Sequence, residues 1–561
     1  MALITITERT EGTFRMNKGE VSISYSRLRL ISFIYIALPI LCFFLGWLKW
    51  YWAILACTAL IVCLLDSNAR SRLGKLFSKM GKGNTSDSDT EDKRLEISKS
   101  ALITFFVCSC IYLIFCGVGR LWAQSYDLAW RNAIFRDIIL RDWPVYYDRF
   151  EGALSYYIGV WLPAAIPAKI VFMLSDNSEV AFTVGNLAFL VYYTIGLCII
   201  FLLLTFYFQV TKNKQIFLIV IGFILFSGMD ILGKFVIEPG SGFNDMHLEW
   251  WSGFQYSSLT TCLCWVYNQA LIPWICTALL LHEKKVSDYI FIGMACLFCG
   301  PFPFIGFFIY AVALGILRLA DMVKAKKGKT FLGEIFSVSN VFATLLVFPF
   351  IGSYLMSNSF MNEKGVGNAF SYALTWDGSY YLLYAIFVLF EFGIYAVLIS
   401  KANKKNPLFY ITVVQLLVYP FINIGINSDF AMRASIPAIF LMFVLCYQYL
   451  LTNSVIIPTE ETELVGKTKT DMFIAKTNIV YVTLVLCLII GSVTPGFEFA
   501  RGIKQVSERG INDKETDYIT LDRDSNPNPH FTSWPPVSFV TLDYDDVFFY
   551  KYFAKDRRTC L

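Results

Sequence analysis

From Gly119 to Gly152 the chain carries five Arg, five acids and no Lys beside an apolar stretch. That mixture suits group transfer. Arg presents a rigid fork that fits phosphate oxygens two at a time, so Arg131, Arg136, Arg141 or Arg149 could hold a lipid-linked phosphate at a membrane surface. Carboxylates in the same loop could take the proton of an attacking hydroxyl while the cations stabilise the departing phosphate. A structural reading stands beside this one: Asp127 with Arg131, and Asp137 with Arg141, are four residues apart and suit helix ion pairs. The charges do not segregate from Trp130, Ile134, Phe135, Ile138 and Ile139, so a helix here is expected to pack on other protein rather than lie alone on a bilayer.

Three further groups of residues could bear chemistry. The stretch from Gly233 contains Glu238, Asp245, His247, Glu249, Trp250, Trp251 and Tyr256. Rings stack on apolar sugar faces and carboxylates accept hydroxyl protons, so Asp245 to Tyr256 reads as an acceptor or sugar site and Glu238 as a second-acid candidate. An interfacial aromatic belt is the plainer alternative. Asn427 to Arg433 places Asp429 and Arg433 in a short turn before a helix start, where Arg433 could meet a phosphate or simply pair with Asp429. Glu391 sits in the middle of an apolar run, where an acid costs about 2.5 to 3.5 kcal/mol unless paired or protonated, and is an intramembrane functional candidate. Asp230 and Lys234, four apart, read as an internal pair.

The elements that position these residues are membrane helices. The chain of 561 residues is 56% apolar and only 16% charged, with a mean hydropathy of +0.55, whereas a soluble protein is about 25% charged. Apolar runs predict about thirteen spans: 30–46, 51–65, 101–119, 180–209, 216–236, 258–281, 287–299, 303–320, 335–356, 379–400, 407–425, 435–452 and 473–494. The expected fold is an all-α polytopic membrane protein. A net charge of +4 is too mild to imply nucleic-acid binding. Most of the 15 Cys lie inside apolar runs, where Cys behaves as a small hydrophobe, so no disulfide scaffold is expected. No Cys or His pair has zinc-ligand spacing.

Basic clusters recur at every second connection: Arg70 to Lys82, Lys212 with Lys214, Lys284 with Lys285, Lys324 to Lys329, and Lys401 to Lys405. Positive charge stays on the cytoplasmic side, so this alternation predicts a multi-pass plasma-membrane protein with a cytoplasmic segment 1–28 and a cytoplasmic linker 66–100. External loops then fall at 120–152, 237–257 and 357–378 within a membrane domain 29–494, and 495–561 forms a small extracytoplasmic C-terminal cap. The alternation requires that 153–174, interrupted by Pro163, Pro167 and Lys169, be re-entrant or interfacial. If it crosses, everything after it inverts. The amino-terminal stretch shows no cleavage signal and no internal repeat is visible.

Asp127 shortly after a span, a helix-like stretch, Asp142-Trp143-Pro144-Val145-Tyr146, and then GALSYYIGVWLPAAIPA from Gly152 together resemble the first external loop of GT-C membrane glycosyltransferases. The likeness is to lipid A aminoarabinose transferases and protein O-mannosyltransferases, and it covers about 40 residues of the 561. It implies an enzyme of GT-C fold that moves a sugar from a polyprenyl-(pyro)phosphate donor to an extracytoplasmic glycan or lipid, in cell-envelope or polysaccharide biosynthesis. By that resemblance Asp127 is the catalytic acid near the reaction centre. The family often has a second acid beside the first, where this chain has Leu128, and an extra hairpin at 30–65 precedes the expected first span.

Arg131, Arg141 and Arg433 are then the donor-phosphate candidates, and Asp142, Glu238 and Asp429 the second-acid candidates. A divalent cation such as Mg or Mn would find hard oxygen ligands in Asp127, Asp137 and Glu238. Two rivals stand: an O-antigen-type polymerase or ligase, which would depend on external Arg, and a transporter of polysaccharide or lipid-linked sugar.

Overall fold

The computed structural model describes residues 20–80, 93–237, 248–249, 253–359, 375–424, 429–453, 479–511, 520–522 and 537–557. Strand β1 (Glu20–Ser24) leads into α1 (Tyr25–Trp47) and α2 (Trp50–Met80), and β2 (Arg94–Ser98) pairs antiparallel with β1 before α3 (Lys99–Phe115). Ser98 caps α3 by accepting from the Ala101 N–H at 3.1 Å. Helix α4 (Leu128–Leu140), strands β3 (Tyr146–Tyr147) and β4 (Gly152–Leu154), and α5 (Leu162–Ser175) precede α6 (Ser178–Phe208). There follow α7 (Asn213–Leu225), α8 (Asp230–Ile237), α9 (Leu259–Val266), α10 (Leu271–His282), α11 (Tyr289–Cys299) and α12 (Pro301–Lys324). The later helices are α13 (Gly328–Ile335), α14 (Val338–Met356), α15 (Gly378–Ile399), α16 (Pro407–Val418), α17 (Asp429–Ala434), α18 (Ile436–Asn453) and α19 (Ile479–Arg509). Strand β5 (Val540–Leu542) and α20 (Phe548–Tyr552) close the described chain.

Among the described residues nine helices are long and apolar enough to cross a membrane, or ten when the bent pair α9–α10 is counted as one span. The protein is an all-α polytopic membrane protein. Each predicted span overlaps helix among the described residues, but α3, α11 and the 407–421 stretch belong to the shorter apolar helices. Apolar side chains such as Leu345, Leu382 and Val397 are 63 to 73% exposed on the bundle surface, which suits lipid contact.

The chain ends sort onto two faces. On one, Arg29 of α1 pairs with Glu283 and Asp288, Ser98 bonds Asn213, and the Ser339 N–H bonds Asp66; the basic connections flank these contacts. On the other, β4 pairs with β3 and with β5 of the tail, and the Lys49 N–H bonds the Phe553 carbonyl at the α1–α2 turn. The tail is therefore stitched into the 120–152 loop rather than standing as a separate cap. Within the tail, Val540–Leu542 forms the strand β5 and Phe548–Tyr552 the helix α20.

Segment 153–174 starts at the tail-paired strand and ends, through the Asp176–Asn177 turn, at the head of α6, where Glu179 meets Arg136 of α4. It leaves and returns on one face. At 14 residues α5 is about 21 Å long, short of a crossing. Asp176 takes the left-handed conformation (φ 49°) and Asn177 caps α6.

Two spans are irregular at the same place. The break between α7 and α8 meets a π-helical turn, Leu389–Gly393, in α15: the Met229 N–H bonds the Phe390 carbonyl at 3.0 Å. A Cβ on Gly228 would stand 2.9 Å from the Glu391 Cα, with its carboxylate closer still. Gly228→Ala is expected to cost on the order of 1 to 3 kcal/mol by overpacking, read as a lower unfolding midpoint in detergent.

Candidate functional site

Asp127 occupies the position before the first residue of α4, yet its side chain makes no capping bond. The turn is held otherwise. The Ser125 hydroxyl bonds the Cys264 carbonyl of α9 at 3.0 Å, and the Tyr126 ring stands edge-on to Trp265. The carboxylate thus faces Arg131, one turn along α4, at 3.7 Å from Nη1, which is too long for a hydrogen bond. That Nη1 donates instead to the Asp127 carbonyl at 2.6 Å.

Arg433 of α17 lies within electrostatic reach of the same carboxylate. Its Nη2 lies 3.1 Å from Asp429 Oδ1, and its charge acts on Asp127 together with that of Arg131. Tyr156 and Tyr157, between β4 and α5, are hydrogen-bonded through their hydroxyls and lie within electrostatic reach of both guanidiniums. Gln269, in the break between α9 and α10, donates to the Tyr157 hydroxyl at 3.1 Å. The Nε of Arg131 and the Nε of Arg433 are buried with no hydrogen-bond partner among the described residues.

Burial pushes the Asp127 carboxyl above the usual carboxylate range, Arg131 and Arg433 pull it back, and Asp429 adds to the rise. A raised carboxyl is a stronger base. The arrangement offers one proton acceptor, two cations with unmet donors, and a polar wall of tyrosine and amide groups.

No family model, curated protein or solved structure matches the chain. Any functional reading rests on these side chains.

The other predicted residues sort differently. Arg141 lies at the far end of α4, about 20 Å from Asp127 at 1.5 Å per residue. There it pairs with Asp137 (3.3 Å) and with Asp522 of the tail (2.6 Å), so it fastens the tail and does not reach the Asp127 group. Arg136 meets Glu179 and lies over the Phe182 ring, and Arg149 bonds the Asp522 carbonyl. Asp142 is exposed beyond the end of α4 and acts on Lys169, whose ammonium caps that end through the Ile138, Ile139 and Arg141 carbonyls. Asp429 is the second-acid candidate that the fold brings to Asp127.

Of the acceptor patch, Asp245, His247, Trp250 and Trp251 lie outside the described residues, as does Glu238. Glu249 and Tyr256 are buried in protein: the Glu249 carboxylate accepts the Ser258 N–H at 2.8 Å, and the Tyr256 hydroxyl bonds the Leu416 carbonyl. Burial and nearby Asp230 push the Glu249 carboxyl up. Glu391 is buried in the π turn of α15 and interacts with Asp230 and Glu249. Asp230 itself accepts from the hydroxyls of Ser227 (2.9 Å) and Thr494 (2.7 Å).

Among the described residues no three His, Cys, Asp or Glu side chains are arranged to hold a metal ion. Asp127 and Asp137 are ten residues apart on one helix, about 15 Å, so they do not form one ligand set. Around Asp127 two carboxylates already face two guanidiniums, a charge-balanced group that does not fit a divalent cation.

Tyr156, Tyr157, Asn268 and Gln269 were not singled out from the sequence. The signal for the amides is there: Tyr267-Asn268-Gln269 is a polar interruption of the 258–281 apolar run, shortly before Pro273.

Proposed function

We propose that this chain is a membrane glycosyltransferase of GT-C type, taking a sugar from a polyprenyl-(pyro)phosphate donor and passing it to an extracytoplasmic glycan or lipid. One observation carries the reading: an uncapped carboxylate, raised by burial, faces the Arg131 guanidinium within electrostatic reach of Arg433, and the buried Nε donors of both arginines have no partner among the described residues. Asp127 takes the proton of the acceptor hydroxyl as its oxygen bonds the anomeric carbon. The bond from that carbon to the phosphate oxygen breaks, and the electron pair leaves on the lipid phosphate, where Arg131 and Arg433 stabilise it. Added phosphate charge beside Asp127 raises its basicity further. By the positive-inside rule this face is extracytoplasmic and the amino terminus cytoplasmic.

The test is binding followed by transfer. Purified protein in nanodiscs is expected to bind polyprenyl phosphate, and Arg433→Ala is expected to weaken that binding at least tenfold, since a hydrogen bond to a charged group is worth about 1.5 to 3 kcal/mol. Equal affinity for both proteins removes the phosphate role. The transporter rival draws on the broken α7–α8 span beside Glu391. It calls for lipid-linked sugar crossing vesicles with no new glycosidic bond.

A further inference from the structure

Helix α10 bends by 105° away from Leu259–Gln269, directly after the turn Tyr267–Gln269. This break is firmly held: the Tyr193 hydroxyl bonds the Tyr267 carbonyl at 2.9 Å, and the Tyr267 ring stands edge-on to Trp161 and tilted against Phe189. Asn268 and Gln269 are fully buried in it. Yet Asn268 Nδ2, Asn268 Oδ1 and Gln269 Oε1 have no hydrogen-bond partner among the described residues. Buried amides are nearly always satisfied, so three polar atoms at one rigid turn that no described residue meets call for a further partner.

The turn adjoins the Asp127 group. Gln269 Nε2 holds the Tyr157 hydroxyl, and the Tyr267 hydroxyl lies within electrostatic reach of Arg131. The chemistry of the unmet atoms narrows the partner. Phosphate only accepts hydrogen bonds and would leave both amide oxygens unmet; a cation would leave the Asn268 NH2 unmet. A sugar hydroxyl donates and accepts at once, and an amide that does the same matches a pair of hydroxyls.

We propose that Asn268 and Gln269 form the subsite that reads the hydroxyls of the transferred sugar, and that this sugar is a neutral hexose with free adjacent hydroxyls. The proposal rests on the glycosyltransferase reading and deepens it. Nanodisc-held full-length protein is titrated with bare polyprenyl phosphate and with polyprenyl-phosphate mannose and polyprenyl-phosphate glucose. The wild type is expected to bind at least one sugar-bearing lipid tenfold or more tighter than the bare lipid. Asn268→Leu is expected to erase that margin while leaving affinity for the bare lipid within twofold, and Gln269→Met is expected to shrink the margin.

A wild type with no sugar margin overturns the subsite. So does a margin that survives both substitutions. Since the Asn268 side chain has no hydrogen-bond partner to lose among the described residues, Asn268→Leu should fold with an unchanged or higher unfolding midpoint; a collapse of folding counts against the proposal too. Failure to bind even the bare lipid instead removes the phosphate role of Arg131 and Arg433, so the two readings fail separately.

Discussion

Asp127→Asn is expected to lower sugar transfer by 10²- to 10⁴-fold, the usual worth of a positioned general base, in vesicles supplied with a polyprenyl-phosphate sugar. The amide has the shape of the carboxylate but cannot take the acceptor proton. Folding should be unaffected, because Arg131 donates to the Asp127 carbonyl rather than closely to its carboxylate, and the side chain caps nothing. Donor binding should hold or tighten, since the variant removes a negative charge beside Arg131 and Arg433. The pH profile supplies a second measurement. Burial raises the carboxyl, so as pH falls it takes up its proton earlier than an ordinary aspartate. The acid limb of kcat/KM should therefore have its midpoint above about 3.9, the unperturbed value. Arg433→Ala removes a cation that opposes the rise and should move that midpoint higher. Transfer within twofold of wild type by the Asn variant would end the base assignment.

Much of the membrane scaffold was legible because lipid imposes a simple rule: apolar runs of sufficient length become helices. The rule counts residues and does not see bends. Thus 258–281 reads as one span but breaks at Tyr267–Gln269, and 473–494 continues as helix to Arg509. At the site, spacing alone finds Asp127 with Arg131, because four residues is one helical turn. It cannot bring Arg433 to Asp127, an approach that depends on how α17 packs against α12. The same spacing paired Arg141 with Asp137, as the fold does; the density of Arg in the loop suggested Arg141 as a phosphate ligand, and only the fold reveals its further partner Asp522, 381 residues away. Glu249 read as a sugar contact because its neighbours are Trp250 and Trp251, whereas its side chain is buried in protein, accepts the Ser258 N–H and lies within electrostatic reach of Asp230. Asn268 and Gln269 escaped because two amides carry no charge, and a pattern search for acids and cations passes over them.

Asp137 gives the second large effect, and its sign depends on the replacement. The carboxylate is fully buried and accepts the Tyr147 hydroxyl (2.9 Å), the Leu521 N–H of the tail (3.0 Å) and Arg141 Nε (3.3 Å). Asp137→Ala strands all three donors and is expected to cost about 3 to 5 kcal/mol, the range for breaking a buried charge pair. The unfolding midpoint should fall, and the chain near residues 520–522 should become open to protease. Asp137→Asn should behave oppositely at neutral pH. Burial pushes the carboxyl up to about 6, against the pull of Arg141, Leu521 and Tyr147. A carboxyl raised in the folded state stabilises most below its unfolded value of 3.8, and that stabilisation is lost as pH rises through about 6. The two-unit window corresponds to roughly 3 kcal/mol. Asn, like the protonated acid, carries no charge and keeps one acceptor oxygen, so it should be neutral or stabilising at pH 7. It should also flatten the change in stability between about pH 4 and 6 that unfolding of the wild type in detergent would show. An Asn variant as damaged as the Ala variant at pH 7 would mean that the charge itself, through Arg141, is what fastens the tail.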